Sequence, residues 1–522
     1  MKDFDILAKK IGLQKAGAGI LNENILTHWV DDWWFNRWCR CKMVMKTVAV
    51  AFAVVLVQVH AADDEWQVIR DGMQAWHDLS FGGSFGLAVG DTTGPLFTHN
   101  VGAKNMFKTP IAGESLTKFT TTMMITNMVK HGILSFDDQV AKYLDWWEQD
   151  PEKPLGGATL RHLLSFTTGF RRDVCYGENQ GESSCFCLKG YIECAKQMYI
   201  NETSLVLDRH PNMTWSYLSI HLQMAGAMAL KAAEVHEPDA FHTMHTLLSK
   251  YLFEPFGMEH TTYGPAYFPA MAVGALTPGD DIHSLLQKVL NYEVIPKSIQ
   301  DEVDFDYSYR VSGSPKGSTD GWWGHYALGN WVECLGFGIA PRVNPNAPIQ
   351  PRCKALNIHS FPGGSGVYPL LDRSEGGGLA GPPRKQSYFG VMVDEPEALT
   401  GLPEYFRIIA KPVTDVLVGG HKLSNVTDDD LLHNLGGLIA RDIAYIRTTL
   451  KTCTCANESR KGEPFASLLE GLPADDTTLN RNHILQGNSS GVTLRRLINV
   501  SKTLGVCKCE ARSKAAPIKR KW

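Results

Sequence analysis

The chain has 522 residues, 44% of them hydrophobic and 20% charged, with a formal net charge of -4 at pH 7. That length suffices for one large enzyme domain and something more. The near-balanced charge, with no arginine-rich or RNA-recognition motif, leaves no electrostatic case for nucleic acid as a partner, and the locally basic run Lys514 to Lys521 reads as a solvated tail.

The N-terminus carries an address. Lys46 precedes the apolar run Val48 to Val59, followed by His60-Ala61-Ala62 and the acidic Asp63-Asp64-Glu65. A basic residue, an apolar run of that length and a small-residue cleavage site make a signal peptide over residues 43–62. The run is short for a membrane span. Residues 1–42 are tryptophan-rich without a clear pattern and read as a gene-model extension ahead of Met43 or Met45. The rival reading keeps them as a cytoplasmic tail and residues 46–62 as an uncleaved signal anchor, which is the one route to a membrane. Export fits the ten cysteines beyond this segment, an even number that favours disulfides. The Cys-x-Cys pairs do not have zinc spacing, so no metal and no cofactor are expected. Six Asn-x-Ser/Thr sequons, at Asn201, Asn212, Asn425, Asn457, Asn488 and Asn499, are compatible with a secreted or secretory-lumen protein.

Taken in order, residues 66–80 predict an amphipathic helix with Trp66, Ile69, Met73 and Trp76 on one side. A strand through Phe85 to Val89, a turn at Asp91 to Gly94 and a second strand predict a hairpin. Gly82-x-Ser84-x-Gly86 matches the nucleophile-elbow motif, but that motif needs a strand before the serine and a helix after it; here the order is reversed, so Ser84 is rejected. Next comes Gly113-Glu114-Ser115-Leu116-Thr117-Lys118, opening a helix in which Leu116, Phe119, Met123 and Met128 recur and which Lys130-His131-Gly132 closes. Ser115 at the helix start puts Lys118 one turn away on the same face, so a hydroxyl and an amine can meet. On that spacing alone, a helix cap beside a solvated lysine is the blander account.

Residues 137–265 read as largely helical, with Ser135 or Asp137 and then Thr159 as caps. Four cysteines between 175 and 194 suggest a stapled loop, and His242 and His245 read as ordinary helix residues. Pro278-Gly279-Asp280-Asp281 opens a further helix, Cys334 and Cys353 bridge a loop, and Trp322-Trp323 read as packing. Val367 to Arg373 and Tyr388 to Val393 form the last strands, and Pro403 to Leu417 a closing helix. The remaining part, residues 419–522, holds Cys453-x-Cys455, Cys507-x-Cys509 and amphipathic stretches, and reads as a helical extension with disulfides between the two Cys-x-Cys sites.

The stretch from Ile111 to Trp147, with Gly-Ile-Leu-Ser-Phe-Asp-Asp at 132–138, and Leu160-Arg161-His162-Leu163-Leu164-Ser165-x-Thr167-x-Gly169 together resemble serine β-lactamase-related hydrolases, on the branch of class C β-lactamases, penicillin-binding proteins and esterases. The likeness is traceable from about residue 80 to about 400 and includes Phe253 to Met258 and Tyr326-Ala327-Leu328-Gly329-Asn330. It implies an α+β fold for residues 63–418, an antiparallel sheet flanked by helices plus an all-helical lobe. It also implies Ser115 as nucleophile, Lys118 as its partner, and Tyr217, with Ser219 where relatives have asparagine, as the second motif.

The third motif departs from the pattern. His359 fits the first position of His-x-Gly, but Phe361 stands where glycine is expected, and Pro362, the residue whose N–H would serve the oxyanion hole, has none. Either Gly363 or Gly364 takes over as donor, or the hole is damaged. The implied chemistry is acyl transfer on a small-molecule or peptide amide or ester. For Lys118 to act as base, an amine of pKa about 10.4 must fall by roughly three pH units, about 4 kcal/mol. A non-catalytic binding or scaffold protein of the same fold is the alternative.

Overall fold

The computed structural model describes residues 65–79, 83–171, 190–203, 210–264, 269–308, 311, 325–333, 357–364, 367–374, 385–394, 410–421, 453–455 and 507–509. All belong to the second of two compact units, Glu65–Trp522. The apolar run at 48–59, Cys175, Cys185, Cys187, Cys334, Cys353, Trp322, Trp323 and the amphipathic stretches of the C-terminal hundred residues lie outside the described residues. Helices are α1 (Gln67–Leu79), α2 (Leu116–Lys130), α3 (Leu160–Leu164), α4 (Tyr191–Thr203), α5 (Ile220–His236), α6 (Met244–Leu248), α7 (Gly279–Leu290), α8 (Lys297–Val303) and α9 (Lys411–Val418). Among the described residues no helix is long and apolar enough to cross a membrane.

The hairpin read from sequence is β1 (Phe85–Asp91) and β2 (Gly94–Val101), and it seeds a seven-stranded sheet. With β6 (His325–Tyr326), β7 (Trp331–Glu333), β8 (Ile358–Ser360), β9 (Tyr368–Asp372) and β10 (Ser387–Val393), the order is β2-β1-β10-β9-β8-β7-β6, antiparallel throughout. Segments distant along the chain therefore meet inside the sheet, where Ala88 pairs with Gly390. Every residue of β1 and β10 is buried, which is why both read as nearly continuous apolar runs. One face of β1 carries only Gly86, Ala88 and Gly90. Small residues there and opposite let α7 lie close: a Cβ on Gly390, the partner of Ala88 in β10, would lie 3.5 Å from a Leu286 methyl, and the Tyr388 ring lies over Gly90, edge-on to His283. Ser84, just ahead of β1, accepts from the Lys104 N–H at 3.0 Å, a structural role.

Helix α2 runs through the core between this sheet and the helical lobe. Periodicity predicted one apolar face, but the structure buries every residue from Leu116 to Met128. Its threonines hid that, because four of their five hydroxyls find partners within the core, Thr126 Oγ1 having none among the described residues. Thr120 and Thr122 donate to the carbonyls of Thr117 and Lys118, Thr121 donates to the Met271 carbonyl, and Thr117 accepts from the Ala275 N–H. The helix closes as its last residues foretold, with Gly132 at φ +71°.

One local expectation needs correction. Neither Ser135 nor Asp137 caps a helix: the Ser135 N–H is taken by the Asp138 carboxylate at 2.8 Å, and the chain then makes only a 3-10 turn, Val140–Lys142. In the C-terminal extension, whose expected helical stretches lie outside the described residues, a short strand pair is described. In it β11 (Cys453–Cys455) and β12 (Cys507–Cys509) run antiparallel, with Cys453 opposite Cys509 and Cys455 opposite Cys507. Cys194, buried in α4, is disulfide-bonded.

Candidate active site

The Gly113-Glu114-Ser115 turn joins β3 (Ile111–Ala112) to α2. A small sheet of order β3-β5-β4, with β4 (Thr262–Tyr263) and β5 (Ala275–Thr277), fixes it, and the Gly113 N–H donates to the Ala275 carbonyl at 2.8 Å. Glu114 adopts the left-handed conformation, φ +44°. For a residue with a side chain this costs about 1–2 kcal/mol, a cost the surrounding structure sustains. Ser115 occupies the helix N-cap position, yet its hydroxyl makes no capping bond. The next three N–H groups bond the carbonyls of Gly113, Glu114 and Ser115, whereas the Ser115 N–H has no partner among the described residues.

Lys118 is where helical spacing put it. Its buried Nζ donates to Ser115 Oγ at 3.0 Å and to the Ala272 carbonyl at 3.1 Å. Tyr217 arrives from 99 positions beyond Lys118 along the chain. The turn after α3 carries it in: Phe166 takes φ +63°, and its carbonyl accepts from the Ser216 N–H at 3.0 Å. The Tyr217 ring stacks on Trp331 with centroids 5.3 Å apart and meets the Phe166 edge at 5.3 Å. Its hydroxyl faces Ser115 closely enough for the serine to perturb its titration, and the Lys118 Nζ sits 4.7 Å from its ring centre. Burial pushes the Tyr217 phenol well above its ordinary pKa, and the facing Ser115 only partly offsets this. At neutral pH it is a neutral phenol. Ser219, half-buried, begins α5 two residues on, and its side chain does not cap that helix.

The third motif begins on β8. His359 lies on β8 with both ring nitrogens engaged, Nδ1 with Asn330 Oδ1 at 2.7 Å and Nε2 with Asn357 Oδ1 at 2.8 Å. Asp304 stands 3.8 Å from Nδ1, and burial holds the imidazole below its usual pKa. The residue two positions on, Phe361, is the one that meets the nucleophile helix: its ring stacks on Phe119, centroids 3.5 Å apart. The hairpin with β9 continues through Phe361 N–H to Pro369 O and Gly363 N–H to Val367 O, 2.9 and 2.7 Å. Pro362 falls between these bonds, so its missing N–H costs that ladder nothing.

Gly363 and Gly364 then pass directly beside the nucleophile turn. A Cβ on Gly363 would lie 2.3 Å from the Gly113 carbonyl oxygen, and one on Gly364 would lie 2.3 Å from a Glu114 carboxylate oxygen. The Gly363 N–H is committed to Val367; that of Gly364 has no partner among the described residues. Three of the sequence candidates, Ser115, Lys118 and Tyr217, are thus brought together, and Gly363 and Gly364 adjoin them, while His359 is tied into the Asn330–Asn357 pair. Sequence reasoning missed Glu114, Trp331, Phe361 as the helix-facing residue, and the Ala272 carbonyl; only the left-handed turn and the aromatic spacing around Tyr326 and Trp331 carried any signal for them.

Comparison with known proteins agrees with this architecture. The Beta-lactamase family model matches residues 79–287. The octameric penicillin-binding protein homologue from Pyrococcus abyssi is similar at 14% identity over 75% of this chain and 83% of its own, with a TM-score of 0.50, a likeness of fold. A β-lactamase from Mycobacterium bovis matches at 14% identity over 65% of this chain and 96% of its own, TM-score 0.40. A penicillin binding protein from Bacillus halodurans matches at 14% over 62% and 95%, TM-score 0.43. No curated protein matches the chain.

Proposed function

Since this chain belongs to the serine β-lactamase-related hydrolase family, we propose that it cleaves an amide or ester through an acyl-enzyme on Ser115. The observation that carries this reading is the buried Lys118 amine 3.0 Å from a Ser115 hydroxyl that does not cap its helix, with the Tyr217 phenol facing the same serine. Ser115 Oγ attacks the carbonyl carbon, and its proton passes to Lys118, with the neutral Tyr217 phenol relaying it toward the leaving group. The oxyanion that forms is met by the Ser115 N–H, at the positive end of α2, and by the Gly364 N–H. The leaving amine or alcohol departs protonated; water then attacks the ester, releases the acid and restores the Oγ–H.

The test is covalent. A fluorophosphonate should add one phosphonyl group per chain, located on Ser115 by peptide mass and lost in Ser115→Ala. Phe361 favours a second reading, a binding protein on the same fold, since it fills the place beside the nucleophile with an apolar ring. On that reading no adduct forms, or the adduct survives Ser115→Ala. An exported location and disulfides between the Cys-x-Cys sites belong to this proposal, supported by the sequence and by the register of β11 against β12.

A further inference from the structure

Glu114 occupies a position that ordinary packing does not explain. It holds the left-handed conformation, φ +44°, immediately before the nucleophile, half-buried, with its carboxylate against Gly364. No cation pairs with it among the described residues. Among the described residues Lys118 and Tyr217 meet Ser115, with Trp331 stacked on the Tyr217 ring and Phe361 on Phe119 one turn into α2, and the Lys118 amine is directed at Ser115 and the Ala272 carbonyl. The described site therefore offers a negative charge and apolar surface to whatever binds. That charge also stands beside Gly364, one of the two N–H groups assigned to the oxyanion, where it opposes the negative charge developing there. A substrate bringing its own positive charge to this spot would satisfy the carboxylate and remove the opposition in one contact.

We propose that Glu114 selects substrates carrying a cationic group, an amine or quaternary ammonium, within reach of the scissile carbonyl, and discriminates against carboxylates. This rests on the serine hydrolase reading. The experiment uses three matched alkyl fluorophosphonates whose chains end in trimethylammonium, tert-butyl or carboxylate, with the rate of Ser115 adduct formation read by mass on the full chain. At low ionic strength the trimethylammonium probe should react about tenfold faster than its tert-butyl match, and the carboxylate probe slowest. The cation-to-neutral ratio should shrink toward one at high salt, and in Glu114→Gln, where the tert-butyl probe should gain rate as the opposing charge is lost. Ratios are compared within one protein, and the salt series needs only the unaltered chain, so a poorly folding variant does not decide the matter. Equal rates for all three probes, or a cation preference that survives Glu114→Gln, overturn the selection and leave the hydrolase intact. If no probe labels Ser115, both fall together.

Discussion

Lys118 and Tyr217 divide the work of moving one proton, and their surroundings set the division. Tyr217 is held neutral by burial, so it enters as a hydroxyl that passes a proton on rather than as a phenolate base. Lys118, directed at Oγ, is the group placed to receive it. Removing the amine should therefore cost more than removing the phenol oxygen. Lys118→Met should slow fluorophosphonate labelling by about a thousandfold, and Tyr217→Phe by about a hundredfold, within the range for positioned acid–base groups. Equal losses in the two variants, with folding intact by circular dichroism, would contradict the division.

Among elements, the β8–β9 hairpin approaches the nucleophile turn with no room for a side chain at Gly363. Gly363→Ala places a methyl 2.3 Å from the Gly113 carbonyl, a backbone atom that cannot rotate away. Either the hairpin retreats, taking the Gly364 N–H with it, or the Ser115 turn shifts. Both lower labelling by about a hundredfold or more, read as the adduct rate, and stability falls with them. A different element tests local capping. Thr159 and His162 close a capping box at α3: the Thr159 side chain accepts from the His162 N–H, and His162 Nδ1 accepts from the Thr159 N–H at 3.0 Å. Thr159→Ala should lower unfolding free energy by about 1 kcal/mol in a urea titration, with Thr159→Ser restoring most of it. Because α3 leads into Phe166 and thence to Tyr217, the loss should reach labelling rates only weakly.

For the whole molecule, buried histidines set the response to acid. His162 and His283 are pushed down to about 4, and His221 to about 3, in each case chiefly by burial. His221 lies between Phe166 and Phe170 with Nδ1 bonded to the Leu218 carbonyl and no partner for Nε2 among the described residues. In the unfolded chain each titrates near 6.5, so below that pH the unfolded state takes up protons the folded state refuses. Stability is accordingly full above about pH 6.5 and falls on acidification toward about pH 4, by about 1.4 kcal/mol per pH unit for each histidine. Unfolding free energies measured from about pH 7 to about pH 5 should show this slope. His221→Leu should remove that residue's own share of the slope, about 1.4 kcal/mol per pH unit. An unchanged slope in that variant would mean other groups control it.

Distance along the chain divides what could be read from the letters. The Ser115–Lys118 pair lies within one helical turn, and local spacing alone puts its two side chains on one face. The β1–β2 hairpin, the glycine close of α2 and the Thr159 cap are likewise decided by neighbours in the chain, and all were legible. Tyr217 needed a resemblance to be singled out, because nothing near it in sequence marks one tyrosine from 16. His359 was read as the third-motif residue because its letter fitted. Only the tertiary structure shows its partners, Asn330 and Asn357, and shows Phe361, two places on along the same face of β8, stacked on Phe119 of the nucleophile helix. The full burial of α2 was hidden because a threonine is polar by composition yet can be satisfied in a core, as Thr117, Thr120, Thr121 and Thr122 are, and only the packed structure says which group its hydroxyl meets. Short-range geometry was thus written in the sequence itself, whereas the make-up of the pocket around Ser115 depended on contacts between segments a hundred or more residues apart, whose distances no local pattern encodes.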